Sequence, residues 1–144
     1  MWKSFINRIS MDYLFRNPAS EPEIAKVEEE LKIQLHNDLS CLLRETNGVS
    51  DKNGCPLIWS TNQIIKENRK LRNQEDFEDL YMPLDCLLFF SDAGNGDLFG
   101  YSIHKGSIQK DDVYVWNHEN DSRTWVAPSL EKFVEWWTNG MIKV

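Results

Sequence analysis

Apolar residues recur at helical spacing from the start of the chain. Trp2, Phe5, Ile6, Ile9 and Tyr13 form one stripe and predict an opening amphipathic helix. Its flanks are only weakly basic, so packing on a core is favoured over a membrane surface. Asn17-Pro18 ends that element, because the residue before proline is pushed out of the helical region. Ser20-Glu21-Pro22-Glu23 has the Ser-x-x-Glu spacing of a capping box, and Ile24, Val27 and Leu31 follow on one face. Glu28, Glu29 and Glu30 fall on the opposite, solvated side. A third helix is expected from about Asn37 to Glu45, burying Leu39, Leu42 and Leu43 and stopping at a left-handed Asn47-Gly48 cap.

After Gly54 the period changes. Leu57-Ile58-Trp59 reads as a short strand, and Ser60 or Thr61 starts a helix through Ile64, Ile65 and Asn68. Asn73 to Leu80 is polar and acidic and reads as a loop. Leu87 to Phe90 and Leu98 to Ile103 are apolar runs on either side of Gly94-Asn95-Gly96-Asp97. Asn-Gly between two such runs predicts an antiparallel hairpin, since both residues accept positive φ cheaply. Val113-Tyr114-Val115-Trp116 is a further half-buried strand. Ser129 caps a closing helix with Leu130, Phe133, Val134 and Trp137 facing inward. Helices gather at the ends and strands in the middle. This order predicts an α+β fold with a mainly antiparallel sheet, as one domain over residues 1–144 without repeat or linker.

A chain of 144 residues can bury about two thirds of its unfolded surface without disulfides. Its 41% hydrophobic and 12% aromatic content fits a packed globule. The longest uninterrupted apolar run, Cys86 to Phe90, is far too short to span a membrane, and the N-terminus lacks a signal-peptide core. Three cysteines without metal spacing fit a reducing cytoplasm, with Cys41 and Cys86 read as small buried hydrophobes and Cys55 in a loop. The net charge of −7 is uneven: Glu75 to Asp121 holds eleven acids against Lys105 and Lys110, while the remainder has fourteen bases and twelve acids. Direct nucleic-acid binding, which needs a basic surface, is disfavoured. The acidity fits either ordinary solvated surface or a basic partner steered by opposite charge.

The glycine-rich turn fails as a phosphate loop. Its third glycine, Gly100, comes one residue late, and a strand rather than a helix follows. Gly94 and Gly96 fall where a calcium loop needs oxygen side chains. His36, His104 and His118 make no His-x-x-His or His-Glu-x-x-His pair, and no Gly-x-Ser-x-Gly elbow is present, so neither a bound metal nor a cofactor is expected. Asp92 and Asp97 could pair as the carboxylates of a small hydrolase, but acids beside such a turn commonly bond their own backbone. Trp59, Trp116 and Trp125 sit among acidic or polar neighbours. They read either as core filling or as a tryptophan face rimmed by carboxylates that suits a basic protein partner. The residues singled out as contacts for such a partner are Trp59, Asp92, Asp97, Asp111, Asp112, Trp116 and Glu119.

The chain resembles the SUKH superfamily, which joins a fungal cell-wall-synthesis regulator to many bacterial immunity proteins. The similarity runs from roughly Glu21 to Trp137. It rests on Ile33 to Leu43, Thr46-Asn47-Gly48, Gly94 to Tyr101, Val113 to Glu119 and the closing Leu130 to Trp137, in that order. One departure is His36, where the family usually has proline before the helix. The resemblance implies an antiparallel sheet wrapped by helices. It also implies a non-enzymatic cytoplasmic protein, monomeric or weakly dimeric, that binds and neutralises a cognate toxin domain, often a nuclease. A regulatory scaffold, as in the fungal branch, is the alternative.

Overall fold

The computed structural model describes residues 1–73, 87–104 and 107–142. Helix α1 (Trp2–Ile9) buries Trp2 and Ile6. Its free N-terminal N–H groups are met by the carboxylate of Glu45, which accepts from Trp2 N at 2.7 Å and Lys3 N at 3.1 Å. An anion at this end also complements the helix dipole. Burial opposes ionisation of Glu45, but the backbone N–H of Trp2, the terminal ammonium and the N–H of Lys3 outweigh it and hold its pKa below the usual glutamate value. Tyr13 lies beyond the helix, where its hydroxyl meets Thr138 Oγ1 at 2.8 Å.

Helix α2 (Glu21–Leu31) begins with the capping box read from Ser20 and Glu23 and buries Ile24, Val27 and Leu31. Its acidic side is less idle than expected. Glu28 accepts the Leu35 N–H at 2.8 Å, and Glu30 pairs with Arg69 at 3.0 Å. Helix α3 (Asn37–Glu45) is capped by the His36 side chain, which accepts from Asp38 N. It ends on Thr46 in an extended conformation, not on a left-handed Asn47-Gly48 cap; the positive φ of Gly48 comes two residues later. Cys41 on α3 is exposed, which corrects its reading as a buried hydrophobe, and Cys86 lies outside the described residues.

Two antiparallel sheets make up the middle. The first contains β1 (Leu14–Phe15), β2 (Val49–Ser50) and β3 (Pro56–Ile58) in that order. The second contains β4 (Leu87–Asp92), β5 (Leu98–Ser102), β6 (Val113–Trp116) and β7 (Arg123–Ala127), also in sequence order. Trp59 N–H donates to Phe90 O at 2.8 Å and ties the two sheets together. Helix α4 (Thr61–Asn73) lies between them in sequence; the rest of the expected acidic loop falls outside the described residues. Buried Asn68 of α4 clasps Phe89, donating to its carbonyl at 2.8 Å and accepting its N–H at 2.9 Å. The closing helix α5 (Leu130–Thr138), capped by Ser129, buries Leu130, Phe133 and Val134.

The hairpin β4–β5 forms as expected, but over the five residues Ala93 to Asp97. The positive φ angles belong to Gly94 and Gly96, not to Asn95. No helix starts there. Gly100 is required for close packing, because a Cβ would meet the Leu88 carbonyl oxygen at 2.5 Å. The core joins both sheets to the helices through Leu39, Leu42, Ile58, Ile64, Phe90, Phe99 and Phe133, none of them exposed by more than 1%. The structure is therefore the α+β arrangement of antiparallel sheets and helices that the sequence predicts.

Candidate functional site

Each of the three tryptophans singled out from the sequence donates its indole N–H to an aspartate. Trp59 reaches Asp92 at 2.9 Å, Trp116 reaches Asp121 at 2.7 Å and Trp125 reaches Asp112 at 3.0 Å. Trp59 and Trp116 are each only 2% exposed. They lie inside the protein, which corrects the expectation of a tryptophan face. A large indole surface favours burial once its N–H has an acceptor, and in both residues a nearby aspartate supplies one.

Asp92 and Asp97 also serve internal bonds. Asp92 accepts from Gly94 N at 3.0 Å, an Asx-type turn, in addition to Trp59. Asp97 is 5% exposed and binds His118 through both its ring and its backbone N–H. It offers no surface to a partner, so its place among the contact residues is corrected too. Asp111, Asp112 and Glu119 remain at least partly exposed.

The exposed tryptophan is Trp125, at 48%. It lies on β7, the last strand in the order of its sheet, and packs edge-on against Trp136 with ring centroids 6.4 Å apart. Trp125, Val126, Trp136 and Met141 line a surface groove of about 480 Å³, with Asp112 bonded to the Trp125 indole beside it. The sequence singles out Trp125 among polar neighbours but does not bring it to Trp136, because it does not present β7 as a strand.

A second concavity, of about 360 Å³, is lined by Gln34, His36, Asn37, Asp38, Gln109 and Asp111 among others. His36 Nε2 lies 2.6 Å from Asp111 Oδ1. Its Nδ1 is 3.1 Å from the N–H of Asp38 and accepts from it, so the partners assign the proton to Nε2. The His36 ring stacks on Tyr101 with centroids 4.6 Å apart and planes 12° off parallel. Among the described residues, His36, Asp38 and Asp111 are the group with ligand-type atoms within 4.8 Å of one another.

Two antiparallel sheets wrapped by five described helices, with Trp59 and Trp116 tied internally to aspartates, define a small α+β protein of net charge −7. The model of the SUKH_6 family, described as SMI1-KNR4 cell-wall, matches residues 21–134, and the chain belongs to that family. Proteins of this family are generally non-catalytic. None of the curated proteins matches the chain. No helix among the described residues is long and apolar enough to cross a membrane.

Proposed function

We propose that this protein is an immunity protein that acts in the cytoplasm by binding and neutralising a cognate toxin domain, a nuclease with a basic surface. Membership of a family compatible with immunity and regulatory roles supports this reading. The observation that carries it is the segregation of charge, with eleven acids against two bases between Glu75 and Asp121. A nuclease must hold phosphates on basic residues, so an acidic surface can occupy that site and steer its own encounter. The contacts proposed are Asp111, Asp112 and Glu119 at the surface, with exposed Trp125 as the aromatic anchor. An interface of ordinary size buries about 1,600 Å² in total, and a few such anchors supply most of its affinity.

Co-expression with the toxin domain encoded beside it, in a sensitive host, tests the reading. The wild-type protein should restore growth, and charge reversal at Asp112 and Glu119 together with Trp125→Ala should abolish rescue while lowering the melting temperature by no more than about 5 °C. Full protection by that folded variant overturns the surface. Failure of the wild type against the neighbouring toxin overturns the immunity reading. The cell-wall description of the family favours a regulatory scaffold as the second reading, and that failure would leave the scaffold standing.

A further inference from the structure

We propose that Asn95 is a site of spontaneous covalent modification. Its side-chain amide is converted to a carboxylate after attack by the Gly96 backbone nitrogen, and the fold selects this position over three others with the same local chemistry. The inference is independent of the partner that the protein binds.

The chain holds four Asn-Gly pairs, at Asn47, Asn53, Asn95 and Asn139. Glycine leaves its backbone nitrogen unhindered, because no Cβ stands beside it. That nitrogen can attack the preceding side chain only while its N–H is not committed to an acceptor. Three of the four are committed. Gly48 N donates to Thr46 O at 2.8 Å, Gly54 N to Asp51 O at 3.0 Å and Gly140 N to Trp137 O at 3.3 Å. The Asn47 amide is held as well, with Oδ1 accepting from Thr61 N and Nδ2 donating to Glu23. Gly96 N has no hydrogen-bond partner among the described residues, and both Asn95 and Gly96 are exposed to water.

The electrophile is prepared too. Asn95 Oδ1 accepts the Asp97 N–H at 3.0 Å. The ring closed by that bond runs through Asn95 Cγ and Gly96 N, the two atoms that must join. The same donor polarises the amide carbonyl and stands where negative charge develops on its oxygen. Asn139 is the internal comparison: its Oδ1 accepts the Met141 N–H at 3.2 Å in the same manner, but its glycine nitrogen is engaged. In the reaction hydroxide takes the Gly96 proton, the N–Cγ bond forms and the Cγ–Nδ2 bond breaks. Water protonates the leaving nitrogen, so ammonia departs and hydroxide is regenerated. A second water opens the cyclic imide at either carbonyl, giving aspartate or isoaspartate. Both products add a negative charge between Asp92 and Asp97. Isoaspartate also lengthens the main chain of the turn that Asp97 fixes to His118.

The test is ageing of the whole protein in mildly alkaline buffer well below its melting temperature, followed by peptide mapping in a mass spectrometer and enzymatic methylation of isoaspartate. Conversion at Asn95 should run about fivefold or more faster than at Asn47, Asn53 and Asn139, the rate ratio of one hydrogen bond that must open before attack. In denaturing guanidinium chloride all four glycine nitrogens are released, so that lead should shrink. Asn95→Gln should remove the acidic band that forms first on isoelectric focusing, since the longer side chain must close a larger ring. The wild-type comparison decides the matter if that variant folds poorly. An Asn95 that stays intact, or conversion elsewhere in the folded protein as fast as at Asn95, overturns the proposal. A lead that denaturant leaves unchanged also overturns it, because the selection would then belong to the local sequence and not to the fold.

Discussion

One carboxylate oxygen of Asp97 binds His118 twice, accepting the ring Nδ1–H at 2.7 Å and the backbone N–H at 3.2 Å. The pair pins the loop after β6 to the β4–β5 hairpin. It also explains Gly96, where a Cβ would lie 2.8 Å from His118 Cε1 and the backbone φ is +101°. Asp97→Ala removes the acceptor for both donors and should cost about 2–3 kcal/mol, read from chemical denaturation. Asp97→Asn keeps an acceptor oxygen and should cost about half as much. Gly96→Ala should cost about 1–3 kcal/mol through the strained backbone and the displaced imidazole.

Glu45 gives an acid-side signature. Its pKa is lowered in the folded state, so its stabilisation is fully present above the ordinary glutamate value of 4.5. That stabilisation is lost as pH falls through the folded value. Glu45→Gln should therefore cost about 1 kcal/mol at neutral pH, the usual size of a helix-capping contribution. The gap between the two proteins should shrink below pH 4.5, measured by paired denaturation curves across the acid range.

Tyr101 should behave unlike most core residues. Deleting its partnerless hydroxyl by Tyr101→Phe removes a desolvated polar group while keeping the ring that packs on His36 and Phe90. The variant should be as stable as wild type or more stable by about 1 kcal/mol in thermal melts.

Trp125 separates binding from folding. Because it is 48% exposed, Trp125→Ala should lower stability by no more than about 1 kcal/mol. The same change should weaken capture of the toxin domain by about 2 kcal/mol or more, as for an aromatic anchor, in surface plasmon resonance.

Elements with strong local signals were legible in the sequence. The Ser20–Glu23 box, the glycine-rich hairpin and the Ser129 cap each state their structure within a few residues. The two-residue strands β1 and β2 are too short to show a period, and β7 has an exposed middle, Thr124-Trp125, that breaks the expected alternation. Trp59 misled because its acceptor, Asp92, lies 33 residues away, so the polar company visible in sequence was not the company that buries it. The His36 pocket was illegible for the same reason. Its carboxylate partner Asp111 is 75 residues distant, and no spacing rule connects them.

The bond between Tyr13 and Thr138 spans 125 positions of chain. Helix α1 also packs against α5, so an early-synthesised segment has a late-synthesised partner. During translation α1 can dock on α3 long before α5 has left the ribosome, but its other neighbour does not yet exist. The order of assembly is thereby constrained twice, because Phe133 of α5 also packs on Phe90 and Phe99 of the second sheet and the interior stays incomplete without it. Final closure must wait for α5, and a ribosome stalled before it would hold a chain whose α1 lacks that neighbour and whose second sheet lacks the Phe133 ring.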